Sequence, residues 1–215
     1  MKRARLTRNR VLVAAIRLAD EAGLATLSMR RLAGELGVEA MSLYNHVTSK
    51  EDLFDGVADL VIGEIESPVV GEPWRAGMRR RAVSAYQVLR SHPWGVGLIA
   101  SRDAVGPLQL AHYDATLGCL HAAGFPYRLA GHSCALIDSH VFGYVVRRLD
   151  LPFDPENLAE WAEHNLPQIP AERYPHVHAI AQRIVAAEYR DADFEFGLEI
   201  ILDGLERLLA SAAPE

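Results

Sequence analysis

The stretch "VEAMSLYNHVTSKEDLF", residues 38–54, decides how this chain folds. It crowds Met41, Ser42, Tyr44, Asn45 and His46 between a glycine-containing turn and a helix start. Large, partly polar side chains packed so closely make a poor core. They suit a short helix with one buried side and one side that touches a partner. On a helix over about 39–46, Val38, Leu43 and Val47 face inward toward Leu27, Leu32 and Leu36. Ser42, Asn45 and His46 then face outward, and Met41 and Tyr44 extend the exposed side.

The flanking sequence supplies helices on both sides. Val11, Ala14, Ala15, Leu18 and Ala19 form an apolar stripe over Thr7–Ala22, with Gly23 as its stop. Ser28 caps a second helix, Met29–Leu36, ended by Gly37. Ser49-Lys50-Glu51-Asp52 has the spacing of a capping box and opens a fourth helix reaching about Glu66. Helix, glycine turn and short helix in this spacing predict a helix-turn-helix, whose second helix enters the DNA major groove. The exposed residue types fit that task. Asn45 can meet an adenine edge, Ser42 a base or a phosphate, and Met41 a thymine methyl. Tyr44 and His46 offer polar tips to the sugar–phosphate backbone. Arg30 is placed for a guanine edge, while Ser28 and Lys50 stand at helix starts where phosphates are welcomed. The basic arm "MKRARLTRNR" adds Arg3 and Arg5. The competing reading is a small helical subdomain whose exposed face is only solvated.

Charge agrees with this division of labour. The net charge of −6 hides nine Lys/Arg against four Asp/Glu in residues 1–50, and thirteen against twenty-four in residues 51–215. A basic head on an acidic body fits a chain whose first segment alone meets a polyanion. The chain has 215 residues, half of them apolar, enough for a sizeable core. No apolar run has the length of a membrane span and no signal peptide is evident, which predicts a cytoplasmic protein without a membrane partner. Cys119 and Cys134 could pair, but without an export signal free buried thiols are expected.

"SPVVGEP" (67–73) is the clearest punctuation, and it divides the chain into a DNA-binding domain, 1–66, and a larger domain, 67–215. Beyond it, helical patterns run near 73–91, 93–100, 105–123, 127–149, 156–165, 171–188 and 191–210, with prolines at their edges. No segment alternates like a strand. The predicted fold is all-α: a three-helix head joined by a linking helix to a helical ligand-binding and dimerisation domain.

"LSMRRLAGELGVEAMSLYNHVTSKEDLFDGVADLV" (27–61) resembles the DNA-binding head of TetR-family transcriptional regulators, and its L-Y-x-H-V-x-x-K-x-x-L pattern is close to the tetracycline repressor. The resemblance implies that Arg30, Ser42, Tyr44, Asn45, His46 and Lys50 fall on positions that touch DNA, a pseudo-palindromic operator. Ala40 and Met41 stand where the tetracycline repressor has Gln and Pro, and Asn45 replaces its Trp. The docking mode carries over, the operator sequence does not. "SHPWGVGLIASR", "LHAAGF" and "FEFGLEIILDGLERLL" resemble the C-terminal domain of the same family more loosely, which implies a small-molecule effector and a homodimer.

The residues of the body point the same way. The last helix carries Phe194, Leu198, Ile201, Leu202, Leu205, Leu208 and Leu209 on one stripe, widened by Phe196, Gly197, Ile200 and Gly204. Segment 129–146 has one charge, Asp138. Helices this apolar need cover on all sides, from a partner chain in a four-helix bundle or from a large monomeric core. Val141, Val145, Leu198, Ile201, Leu205 and Leu208 are the predicted interface. Trp94, His112, Tyr113, Leu117, Phe125, His132, Leu136, His140, Tyr144, Trp161, Tyr174 and His178 are the candidates to line a pocket for an apolar or aromatic ligand, each with core packing as the plainer alternative. No Arg or Lys lies between Arg128 and Arg147, so a strongly charged ligand is not expected.

No Cys/His set has zinc spacing, and no metal or cofactor is predicted. Phosphate loops, G-x-S-x-G and His-Glu-x-x-His are absent, so no catalytic residues are assigned. Asp138, near His140 and Cys134, is the one constellation that invites an enzymatic reading; hydrogen bonding within the bundle or across a dimer is the alternative. The expected activity is a ligand-responsive repressor, with an activator or a constitutive DNA-binding protein as alternatives.

Overall fold

In a computed structural model, residues 5–149, 157–186 and 194–211 are described, and among them every regular element is helical. Four helices build the head: α1 (Arg8–Ala22), α2 (Met29–Leu36), α3 (Ala40–Leu43) and α4 (Lys50–Gly63). Seven build the body: α5 (Trp74–Ser91), α6 (Gly95–Ala100), α7 (Pro107–Ala122), α8 (Tyr127–Leu149), α9 (Leu158–Asn165), α10 (Pro175–Val185) and α11 (Phe194–Ser211). Single 3-10 turns follow α1 and α9.

The head owes its helix starts to hydroxyls that satisfy otherwise unpaired N–H groups. Thr7, Ser28 and Ser49 accept from the backbone N–H of Arg10, Arg31 and Asp52 at 3.3, 3.2 and 3.0 Å. Gly37 ends α2 with φ +63°, and the N–H groups of Gly37 and Val38 return to Gly34 and Ala33. That left-handed turn carries a strain for any residue with a Cβ, which glycine escapes. The first core then forms from Val11, Ala15, Leu27, Leu32, Leu43, Val47, Leu53 and Val57, all at most 2% exposed. Burying Leu32 or Leu43 contributes roughly 1.5–3 kcal/mol each.

The predicted helix over 39–46 is shorter in the structure. Only Ala40–Leu43 is α-helical, and residues 44–46 close as a turn in which the His46 N–H reaches Leu43 O at 2.8 Å. The helices predicted from 105 and 171 begin at Pro107 and Pro175, the residue type suited to a first helical turn. Residue 156, residues 187–188 and residues 191–193 of the predicted helices lie outside the described residues.

The body gathers α5, α7, α8 and α11 around a second core of Met78, Leu89, Leu120, Phe125, Ile137, Val141, Leu198 and Leu202. Phe125 meets Trp74 edge-on at 4.9 Å, and Phe194 stacks on Tyr86 at 4.7 Å. Across the α5–α11 seam, Arg75 pairs with Glu199 and Asp203, and Arg79 with Glu195 and Glu199. Helices α9 and α10 pack against each other.

The burial pattern corrects the predicted interface. Val141, Val145, Leu198 and Leu205 are at most 3% exposed inside the chain's own core, so they have no surface left to offer a partner. Ile201 is half-buried, and Leu208 is 53% exposed. Beyond Tyr127 at the start of α8, the large apolar side chains left open on the described parts of the two helices are Leu136 and Val146 of α8 with Phe196, Ile200 and Leu208 of α11.

Candidate functional site

The recognition turn is held from behind and open in front. Leu43 and Val47 are fully buried, which fixes the roll of α3 about its axis. Met41 is then 73% and Tyr44 43% exposed, Asn45 is exposed, and Ser42 and His46 are half-buried. Arg30 stands exposed at the start of α2, and Lys50 at the start of α4, its ammonium over the Phe54 ring. Ser28 is exposed with its hydroxyl engaged in capping α2. Arg5 is exposed at the edge of the head, and Arg3 lies outside the described residues.

One ion pair clamps this arrangement. Arg8 on α1 donates to the Asp52 carboxylate at the start of α4 and to the backbone carbonyl of His46 in the recognition turn, both at 3.0 Å. Asp52 also accepts from the Thr48 N–H and hydroxyl at 2.7 and 3.1 Å. The Arg8 hydrogen bond, against a smaller cost of burial, holds the Asp52 carboxyl at about 2. Three elements are thus fastened at His46, the residue that ends the exposed turn. Arg17 on α1 pairs with Glu35 on α2 on another side of the head.

Behind the head, a narrow cavity of about 60 Å³ opens between α4, α5, α6, α7 and α8. Ile62, Ile65, Ala85, Leu89, Ile99, Val141 and Phe142 give it apolar walls, and Gln109, His112, Tyr113, Arg81 and Asp138 a polar floor. Arg81 is 3% exposed. It donates from Nε to His112 Nε2 at 2.9 Å and from Nη2 to Asp138 Oδ1 at 2.7 Å. The Tyr113 hydroxyl donates to Asp138 Oδ2 at 3.1 Å. Because His112 Nε2 accepts from a permanent cation, its ring is neutral with the proton on Nδ1, 3.0 Å from Ser67 Oγ. Burial and the Arg81 charge push the His112 pKa down to about 4; burial and the Asp138 charge push Tyr113 up to about 12.

Of the pocket candidates, the structure brings His112 and Tyr113 to this cavity. Trp94 lies at the head–body junction, its indole N–H on Asp20 at 2.8 Å. His140 and Tyr144 surround the Phe194 ring, and Leu117 and Phe125 pack in the second core. His132 and Leu136 are on the open face of α8, and Trp161, Tyr174 and His178 are on or beside α9 and α10. Sequence reading passed over Arg81, which brings a cation from α5 to the cavity although no Arg or Lys lies between Arg128 and Arg147. A signal was present. Met78, Ala82, Ala85 and Leu89 are the buried stripe of α5, and Arg81 falls on the same face. Asp138 likewise falls between Cys134, Ile137 and Val141 on the buried face of α8. Charges on two apolar stripes need each other. Burial also raises the thiol pKa of Cys134 to about 11, and both cysteines are free and buried.

Head and cavity share a helix. α4 sends Leu53 and Val57 into the first core and Ile62 into the cavity wall. Asp59 of α4 also accepts from the N–H groups of Leu108 and Gln109, which opens α7. At Gly106 any Cβ would collide with that carboxylate, so glycine is required there. A second tie joins α1 to the body: the His92 ring contacts Asp20 at 2.7 Å and Glu64 at 3.2 Å. Burial works against its charge, but the two carboxylates leave the His92 pKa raised.

A helix-turn-helix with its reading residues exposed, coupled to a cavity behind it, defines a DNA-binding regulator. Residues 11–57 match the bacterial regulatory proteins of the tetR family, and residues 67–209 match the tetracyclin repressor-like C-terminal domain. The chain is 37% identical over 141 residues to an HTH-type transcriptional regulator of Saccharopolyspora erythraea, covering 65% of this chain and 60% of that relative. It is 32% identical over 220 residues to the HTH-type transcriptional repressor DrrR1 of Streptomyces coeruleorubidus, covering 98% and 81%. The fold superposes on apo ActR from Streptomyces coelicolor with a TM-score of 0.81 at 29% identity, covering 98% of this chain and 99% of ActR. ActR in complex with actinorhodin gives 0.78 at 29% identity, covering 96% and 99%. The chain belongs to the TetR family of ligand-responsive transcriptional regulators.

Proposed function

We propose that this chain is a dimeric repressor that leaves its operator when a ring-bodied, largely apolar molecule fills the cavity under α4. The observation that carries this reading is the shared helix: α4 is anchored in the head core at one end and walls the cavity at the other. A ligand seated against Ile62, Gln109 and Tyr113 acts on α4 directly and through the Asp59 contact with α7. Rotation of α4 changes the separation of two recognition turns, which must match successive major grooves. The ligand shifts that balance only as far as it binds one state better, typically by ~1–3 kcal/mol. The actinorhodin complex of ActR supports a small-molecule effector for this fold.

In this reading the dimer pairs the open faces of α8 and α11, where Leu136, Val146, Phe196, Ile200 and Leu208 are at least 41% exposed. Residues 1–66 read DNA and residues 67–215 bind ligand and partner. Recognition falls to Arg3, Arg5, Ser28, Arg30, Met41, Ser42, Tyr44, Asn45, His46 and Lys50. The Asp138 cluster binds rather than catalyses, because Arg81 and Tyr113 occupy its carboxylate and His112 is held neutral by the same arginine. Among the described residues no helix is long and apolar enough to cross a membrane.

The test is fluorescence anisotropy of the purified chain on DNA flanking its own gene, against a scrambled duplex, at two salt concentrations. Tight binding to the native fragment that survives the higher salt supports a specific regulator. Equal binding to both duplexes that salt erases leaves only the electrostatic contribution and contradicts specific recognition of that fragment.

A further inference from the structure

Building on the effector-cavity reading, we infer that the cavity takes an uncharged, ring-bodied molecule that presents a carbonyl oxygen to Arg81. Two of the three guanidinium nitrogens are committed, Nε to His112 and Nη2 to Asp138. The third, Nη1, is buried with no hydrogen-bond partner among the described residues. Arg81 is 3% exposed and is one of the residues that line the cavity, and its uncommitted Nη1 is the donor we assign to an occupant. A buried N–H without an acceptor is costly, and a donor on a cation gains most from being met.

The chemistry of the occupant follows from the surroundings of that atom. Arg81 and Asp138 already cancel each other's charge. A carboxylate ligand at Nη1 would place a second anion beside Asp138 in an apolar enclosure, where unbalanced charge is expensive. An amine would face the guanidinium itself. A pure hydrocarbon would fit Ile62, Ile99, Val141 and Phe142 but leave the donor dry. A neutral carbonyl replaces any water bonded at that position and keeps its hydrogen bond. Arg81 cannot swing away, because the bonds to α7 and α8 fix the plane of its fork. Arg81 is the specificity-determining residue of the cavity, and Asp138 and His112 are positioning residues that aim it.

A matched set of probes tests this: fluorenone, fluorene and fluorene carboxylate, titrated calorimetrically into the full chain without DNA. Fluorenone binds the wild type tightest, about tenfold or more above fluorene, with the carboxylate weaker than the ketone. In the doubly substituted Arg81→Met/Asp138→Leu chain, which removes both charges together, the ketone–hydrocarbon gap shrinks to about twofold while fluorene still binds. Should that variant fail to fold, Arg81→Lys keeps the charge opposite Asp138 but lacks the fork, and the gap closes there too. An unchanged gap in the variant that folds, a preference for the carboxylate, or no fluorenone binding up to its solubility overturns the inference. Operator release is measured separately by anisotropy. Fluorenone that binds through Arg81 without releasing DNA contradicts the release mechanism and leaves the ligand class standing.

Discussion

The recognition turn and the cavity floor each collect polar side chains on the surface of a helix, yet they are built on opposite terms. At the turn, Met41 on the short helix and Tyr44 and Asn45 just after it stand in solvent, pinned from behind by Leu43 and Val47. Water satisfies the polar tips of Tyr44 and Asn45 until DNA replaces it, so the site costs the head little stability. On the floor, Arg81, His112, Asp138 and Tyr113 bond to one another across α5, α7 and α8, and one donor is left over. Truncating Arg81 or Asp138 there leaves the other's charge behind without its partner. The difference teaches where to look for damage: stability at the floor and at the turn's hidden side, affinity at the turn's open side.

The largest expected effect separates the two regions. Arg81→Ala strands the Asp138 carboxylate and destabilises the body by about 3–5 kcal/mol, whereas Arg81→Met/Asp138→Leu together cost far less. Urea unfolding of both variants checks this, and equal losses would break the contrast. Leu43→Ala follows, with about 2–5 kcal/mol lost from the head because a fully buried side chain is removed. Its neighbours behave differently. Asn45→Ala leaves unfolding within about 0.5 kcal/mol of wild type but costs about 1–3 kcal/mol of operator binding. Tyr44→Ala also weakens operator binding and leaves the dimer intact, as anisotropy and sedimentation will read. A Tyr44 variant that binds normally removes that residue from the contact set.

Proton linkage sharpens the comparison further. His112 has its folded-state pKa depressed to about 4, so the unfolded chain binds the extra proton between that value and about 6.5. Its contribution is present above pH ~6.5 and is lost as pH falls toward 4, on the order of 3 kcal/mol. His92 has its pKa raised, so its smaller contribution runs the other way, present below pH ~6.5 and lost as pH rises through the folded value. Thermal melts across pH 4–8 of the wild type, His112→Gln and His92→Gln read both slopes. Each substitution removes the slope assigned to it; a slope that persists contradicts the assignment.

The head was legible because its signals are local. Ser28, Gly37 and Ser49 mark helix ends within a few residues of the stripes they bound, and the outward set on 41–46 follows once Leu43 and Val47 point inward. The extent of α3 was not, since the backbone closes into a turn at His46 under a hydrogen bond from Arg8, 38 positions away in sequence. The body was legible as a helical bundle and illegible as a site. Arg81 in "RRR" reads as one more exposed cation until α8 brings Asp138 across 57 positions to meet it. The apolar stripes of α8 and α11 were visible, but not how they divide between self and partner. Periodicity marks a face as buried without saying which chain buries it. Leu198 and Val141 went to the chain's own core, leaving Phe196, Ile200 and Leu136 open.

The most direct measurement is a selection of bound sequences from a pool of random duplexes, with Asn45→Ala run in parallel. Two recognition turns related by a dimer axis should enrich a pseudo-palindrome whose half-sites are centred about 10–10.5 base pairs apart or a multiple of that spacing. The Asn45 variant should enrich the same spacing with relaxed preference at one position in each half-site. Enrichment of a lone asymmetric site, or of no site at all, would contradict a dimeric reader of operator DNA.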